Sequence, residues 1–459
     1  MHINWKHSFF LSISTTLVWA GLASAQMAPP APGPDDRYKA DILVVVAHPD
    51  DETEITGYLA RAIYQEHKRV AVVFGTRGNG GGDANGYAQA DALSAEREIE
   101  ARKALATFGV MNVWFLDGSD TPGQDVLRSL ETWNHGSALG KAVRILRLTR
   151  PEVVMTWMPE YVAGENHGDH QAAGVIATEA FDMAGDPTVF PEQVAAPRDY
   201  LNIGNLTEGL HAWQAQKLYY FSDATNQDFM KGKGPEYSTL DNSPQGKSYY
   251  LLAAEEMSQH LTQGDTGQMA KQCLANGDFT YFKTPVRLLL GKSHVSSPPT
   301  ADVFAGVVKG RIPYAPAPGY RPAKKEGTYI ELGGPFAFYR EFQQAHGLTA
   351  LEDLLPPEVE MGATSMLHIP LLIHSGTGQT VKIDLSLPEG WERTYQSYDR
   401  FNEFPVSAGG TYPVTINLQS ASEPQKDWQK VKINATANGN PVGSVTVLVR
   451  LTKGFGLPQ

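Results

Sequence analysis

Ile42-Leu43-Val44-Val45-Val46 runs directly into Ala47-His48-Pro49-Asp50-Asp51-Glu52. The first five residues are uniformly apolar and mostly β-branched. With no alternation between apolar and polar positions, they predict a strand buried on both faces, as in a parallel sheet. The chain then delivers an imidazole and three carboxylates within five residues. Around this stretch the pattern repeats. A helix is expected over residues 54–66, a second buried strand over 70–74, and a helix opening at Ser94, with Glu96 and Glu98 in its first turn and Gly109 just past its end. A strand at 113–116, a helix over 126–148 and a strand at 153–156 follow. Strands and helices alternating at this spacing imply parallel strands joined by right-handed crossovers, the doubly wound α/β class. In such sheets ligands bind beyond the carboxyl ends of the strands, where residues 47–52 fall.

The pattern changes near Pro356-Pro357. From Met366 onward, short apolar runs at 367–373, 381–387, 412–418, 431–437 and 445–451 are separated by Gly376, Pro388-Glu389-Gly390, Gly409-Gly410 and Asn438-Gly439-Asn440. Many short strands with this turn chemistry and no helical period predict an all-β sandwich. The expected organisation is therefore an exported leader over residues 1–25, a Pro-rich linker over 26–38, an α/β domain over 39–355 and a sandwich over 356–455. At 459 residues, two domains are the default.

The leader is read from Lys6 with His2 and His7, an apolar stretch over residues 9–22, and small residues Ala23-Ser24-Ala25. It predicts an exported protein, periplasmic or extracellular, with no membrane span. Loss of those residues removes Lys6 and no acid, taking the formal charge from −12 to −13. That acidity argues against nucleic acid, which needs clustered Lys and Arg. Cys273 is the only cysteine, so no internal disulfide is available and the thiol is expected to pack as a small hydrophobe. Nothing in the sequence speaks to oligomeric state.

The acids at Asp50, Asp51 and Glu52 would suit the positive end of the following helix. That explains neither His48 nor so much like charge at the mouth of a sheet. A divalent metal would relieve the repulsion, and His with Asp suits zinc. Downstream, Glu165-Asn166-His167-Gly168-Asp169-His170 follows the strand at 153–156 and brings two more imidazoles around an acid. Two such clusters, each after a strand of one sheet, point to a metal site with an open position for water.

Taken together, Ala47-His48-Pro49-Asp50-Asp51-Glu52 and His167-Gly168-Asp169-His170 resemble the PIG-L/LmbE-like family of zinc-dependent N-deacetylases, with Thr76-Arg77-Gly78, Arg97-Glu98 and Leu116-Asp117 matching between them. The resemblance covers about residues 40–265. It implies a Rossmann-like fold, a Zn2+ cofactor and an N-acetylated amino sugar or glycoconjugate, of the N-acetylglucosamine kind, as substrate. It further implies His48, Asp51 and His170 as metal ligands, Asp50 as general base, His167 as the oxyanion stabiliser, Asp169 as its partner and Arg77 as a substrate-binding arginine. Such roles are chemically coherent. Amide hydrolysis needs a Lewis acid, a base for water and a proton for the departing amine. Asp50 could shuttle that proton, and a cationic His167 beside Asp169 could oppose the developing charge.

Asn79-Gly80-Gly81-Gly82-Asp83 departs from the family pattern and completes neither G-x-G-x-x-G nor a P-loop, so a mobile rim loop is expected. Ser258-Gln259-His260 lies on an expected helix and resembles a stretch in larger members of that family; His260 is either solvated or packed, or faces the site. Trp157, Trp213, Tyr219 and Tyr220 are either core residues or platforms for sugar rings, and Trp391 is expected to anchor the sandwich core. Two rival functions stand beside the sugar deacetylase: a zinc amidase acting on a non-sugar amide, and a carbohydrate-binding protein with a vestigial metal site. A glycosidase built on Asp50 and Asp51 is disfavoured, because adjacent acids are not a pair opposed across a sugar ring.

Overall fold

The computed structural model describes residues 33–160, 167–195, 208–224, 227–264, 266–322, 326–351, 357–394 and 402–452. The expected leader and most of the linker lie outside them, as do Glu165, Asn166 and residues 352–356, where the domain boundary is expected. Within the rest of the linker, Asp36–Tyr38 forms one 3-10 turn, capped by the Asp35 carboxylate.

The five-residue apolar run forms β1 (Ile42–Val46), and every residue of it is buried. Parallel partners flank it on both sides: β2 (Val70–Thr76) on one, β4 (Val153–Trp157) on the other. Adding β3 (Val113–Gly118), β5 (Lys217–Phe221) and β8 (Leu289–Ser293) gives the order β3-β2-β1-β4-β5-β8, with β8 antiparallel. β6 (Glu236–Tyr237) and β7 (Val286–Arg287) pair separately as a short ribbon. Strand order reverses between β1 and β4. The loops after those two strands therefore diverge and open a crevice, the topological switch point of an open α/β sheet.

The helices are α1 (Thr56–Tyr64), α2 (Ala90–Ala106), α3 (Val126–Thr132), α4 (His135–Thr149) and α5 (Gly168–Met183). Two differ from expectation. α2 begins at Ala90 rather than at Ser94. The single helix expected over 126–148 is two, because Asn134 takes a left-handed conformation (φ 52°) and interrupts the hydrogen-bond ladder. α6 (Tyr249–Met257), α7 (Thr266–Asn276) and α8 (Pro335–His346) complete the set among the described residues. Cys273 lies on α7, partly exposed, against a small apolar cluster with Ala253, Met257 and Phe282. No helix among the described residues is long and apolar enough to cross a membrane.

The tail is all β, in two facing sheets. One has the order β10-β17-β16-β12-β14 and the other β13-β15-β11-β9. β11 (Met366–Ser375), β12 (Gln379–Ser386), β15 (Gly410–Gln419), β16 (Gln429–Ala437) and β17 (Asn440–Thr452) correspond to the five apolar runs. β9 (Tyr329–Leu332), β10 (Glu358–Gly362), β13 (Glu392–Thr394) and β14 (Glu403–Val406) are additional. Inward positions such as Ile373, Val381, Ile383, Ile416 and Val431 are fully buried, each worth about 1.5–3 kcal/mol of transfer free energy. Trp391 joins this core, its Nε1 donating to Gln429 Oε1 at 3.0 Å. β9 pairs with β11, so the sandwich sheet reaches upstream of residue 356. From β9 the chain enters α8, which returns to the α/β core. The Tyr339 hydroxyl donates to Gln171, and His346 Nδ1 lies 2.7 Å from Asp182 Oδ2, so α8 lies along α5.

Candidate active site

Each strand of the parallel sheet ends in a loop that contributes to one crevice. After β1, Pro49 turns the chain and Asp50 takes φ 126° and ψ −15°, a conformation rare for any side-chain-bearing residue and costing about 1–3 kcal/mol. Asp51 then opens a 3-10 turn, Asp51–Ile55. After β4, His167 caps α5, its Nδ1 accepting the Asp169 N–H at 3.2 Å, and the first turn carries Asp169 and His170.

His48, Asp51 and His170 bring one donor atom each within 4.8 Å of one another. His48 Nδ1 and His170 Nε2 stand 3.6 and 3.4 Å from Asp51 Oδ1. A tetrahedron with arms of ~2.0–2.1 Å has edges of about 3.4 Å, so these donors suit zinc. Their remaining atoms are committed elsewhere. Asp51 Oδ2 accepts the N–H groups of Ala47 and His48 at 2.8 and 2.9 Å and Trp157 Nε1–H at 2.6 Å. His48 Nε2 donates to Asp169 Oδ2 at 3.2 Å. His170 stacks on Trp157, with centroids 4.2 Å apart and planes at 3°, and turns Nδ1 toward Asp223 Oδ2 at 3.8 Å. Outer partners of this kind fix which imidazole nitrogen faces a metal. Two nitrogens and one oxygen then point inward, the donor set of a catalytic zinc with an open position.

The electrostatics agree with a cation-seeking site. Burial works against charge on His48, yet Asp51 and Asp169 lift it to about 10. Burial would raise Asp51, but the His170 and His48 rings outweigh it and hold the carboxyl well below its ordinary range. Carboxylates that bind protons on neighbouring imidazoles would bind a divalent ion in their place, releasing those protons. Asp50 is pushed up to about 7 by burial and by Asp51, with His260 pulling the other way. That value matches a base working near neutrality.

Two roles carried over by resemblance meet a different geometry. Asp169 is closer to His48 (3.2 Å) than to His167 Nδ1 (3.9 Å), and Thr121 holds its carboxylate through N–H at 2.8 Å and Oγ1 at 2.5 Å. It therefore serves chiefly as the outer partner of His48. Nor do its surroundings favour a cationic His167. Burial, then His48 and His170, push it down to about 3. With Nδ1 accepting the Asp169 N–H, the neutral ring carries its proton on Nε2, which remains available as a donor.

Arg77 follows β2, half exposed, and leans on Glu98 and Asp117 at 3.5 and 3.4 Å rather than on the residues around Asp50. Arg97 is the arginine coupled to Asp50. Its guanidinium donates to the carbonyls of Gly78, Gly80, Gly82 and Thr262. Gly80 N–H also reaches Asp120 Oδ2 at 2.6 Å. The Gly-rich segment is thus pinned rather than a loose rim, because one planar donor fork gathers three of its carbonyls. Gly78, at φ 70°, has the Arg97 side chain where a Cβ would stand (2.7 Å). Trp157, Trp213, Tyr219 and Tyr220 are all buried core residues, so none is a sugar platform.

Asp223, after β5, is a residue that sequence reasoning passed over. His260 is packed, fully enclosed 3.1 Å from Glu52, and what went unread is that partner. Asp223 had no motif to mark it.

The profile described as "PIG-L: GlcNAc-PI de-N-acetylase" matches residues 43–181. A 1D-myo-inositol 2-acetamido-2-deoxy-alpha-D-glucopyranoside deacetylase of Tsukamurella paurometabola is 32% identical over 203 residues, covering 39% of this chain and 68% of the relative. The enzyme of the same name from Geodermatophilus obscurus is 29% identical over 194 residues, covering 39% of this chain and 60% of the relative. Among solved structures, N,N'-diacetylchitobiose deacetylase from Pyrococcus horikoshii aligns over 60% of this chain and 89% of its own, at 16% identity and a TM-score of 0.40.

Proposed function

This chain belongs to the PIG-L family of de-N-acetylases, and from that premise we propose that it is a zinc-dependent hydrolase removing the N-acetyl group from N-acetylglucosamine-containing substrates. The observation that carries the reading is the inward-facing set His48 Nδ1, Asp51 Oδ1 and His170 Nε2, with Asp50 beside it and His167 4.7 Å from His48, ring to ring. The named activity of the two bacterial relatives on an acetamido sugar supports the substrate class.

Zinc held by His48, Asp51 and His170 would supply Lewis acidity to the amide carbonyl and to a water molecule. Asp50 takes the proton of the attacking water as the new C–O bond forms. His167 donates Nε2–H toward the oxygen on which negative charge gathers. Asp50 then returns its proton to nitrogen as the C–N bond breaks, leaving free amine and acetate. Asp169 and Trp157 keep His48 and Asp51 in register, and Arg97 holds the glycine loop beside Asp50. The leader-like residues 1–25 support an exported, periplasmic or extracellular setting.

The test is acetate release across N-acetylated sugars with metal-stripped and zinc-restored protein, Asp50→Asn serving as control. Zinc-dependent release that Asp50→Asn lowers by ~10²–10⁴-fold is the expected result. Absence of zinc-dependent release from every acetamido sugar would overturn the function.

A further inference from the structure

Glu52, Glu256 and His260 form a second group of acids and imidazole, with donor atoms within 4.8 Å of one another, that the reaction above leaves unused. All three are completely buried. Their atoms face one another: His260 Nε2 is 3.1 Å from Glu52 Oε1 and 3.8 Å from Glu256 Oε1. The imidazole is within hydrogen-bond distance of Glu52 and within ion-pair distance of Glu256.

The pair is connected to Asp50. Glu52 uses its other oxygen, Oε2, to accept the Asp50 N–H at 3.1 Å. The Asp50 carbonyl accepts the Thr53 N–H at 3.0 Å, and the Pro49 carbonyl accepts the side-chain amide of Gln263. Asp50 thus sits at φ 126° with the peptide groups around it held by Glu52, by the turn that follows and by the segment just after α6. Such a backbone persists only where its surroundings over-determine it.

We propose that His260 is a positioning residue which, through Glu52, holds Asp50 in the unusual backbone conformation that aims its carboxylate. His260 touches no substrate in this scheme. It orients Glu52, and Glu52 anchors the Asp50 peptide. The inference rests on the reading of Asp50 as general base. Residues 256–263 lie beyond residues 43–181, the segment that the family profile matches.

The experiment is a double-mutant cycle of His260→Ala with Asp50→Asn on the full chain, reading kcat, KM and bound zinc. Misplacement of a reacting group by about 1 Å costs ~10²-fold. His260→Ala should therefore lower kcat by about 10–10²-fold, with KM and zinc content held, and His260→Gln, which keeps a donor for Glu52, should recover most of the loss. In the Asp50→Asn background the same substitution should cost almost nothing further. An equal loss in both backgrounds, or a parallel fall in zinc, would overturn the proposal. Should His260→Ala not fold, Glu52→Gln carries the same cycle. Failure of the underlying reading looks different: Asp50→Asn would then leave acetate release intact.

Discussion

His48, Asp51 and His170 on one side, and Glu52, Glu256 and His260 on the other, carry the same two functional groups, imidazole and carboxyl, with donor atoms in each case within 4.8 Å of one another. Their accessibility separates them. The side chains of His48 and His170 are 14% and 12% exposed, whereas all three members of the second group are at 0%. Their wiring differs as well. In the first group Asp169, Trp157 and backbone N–H groups occupy the outer atoms and leave three donors facing one point. In the second, His260 Nε2 is bonded to Glu52 at 3.1 Å, with Glu256 3.8 Å away. Composition is thus a poor guide to a metal site; outer partners and a route to solvent distinguish a cation cradle from a buried ion pair.

That contrast can be broken at several points. The largest effect is expected from His170→Ala, which should strip zinc and, with it, acetate release, as read by metal analysis of purified protein. His260→Ala should leave the metal count unchanged; a loss there would erase the distinction between the groups. Asp50→Asn should lower kcat by ~10²–10⁴-fold with zinc retained. Asp169→Asn should weaken zinc binding or activity by about 10–100-fold, since it loosens His48. A competition titration against a chelator measures this, and no change would return Asp169 to a role on His167 alone.

The smallest effect belongs to Glu256. Burial raises its carboxyl to about 7, with Glu52 adding to the rise and His260 opposing it. Between an unfolded value near 4.5 and that folded value, the native state holds a proton the unfolded chain has released. Its contribution therefore makes stability fall as pH rises across this window and levels off above it. Glu256→Gln should flatten that slope in thermal unfolding at pH 4.5–7 without altering zinc content. An unchanged slope would mean that Glu256 is ionised in the fold.

Much of this was legible in the chain itself. A short, mostly β-branched apolar run reads as a strand covered on both faces, so residues 42–46 announced a parallel sheet and placed His48 at its carboxyl edge. Alternating runs separated by Gly, Pro and Asn announced the sandwich in the same way. The left-handed Asn134 that splits α3 from α4 escaped notice because Asn is a weaker breaker than Pro and the nearby Gly136 is of a kind tolerated inside a helical pattern. β9 escaped because the loop-rich sequence around it hid four strand residues.

By itself, the sequence picked out the candidate site residues, since strand ends and reactive side chains are local features. The tertiary structure alone decided how they are wired. Glu52 meets His260 across 208 positions and His48 meets Asp169 across 121. Such pairings depend on which strands adjoin at the switch point, and spacing along the chain does not encode that. Protonation was decided there too. Burial and neighbouring charge push His167 down to about 3 and Asp50 up to about 7, and both influences exist only once the loops have met.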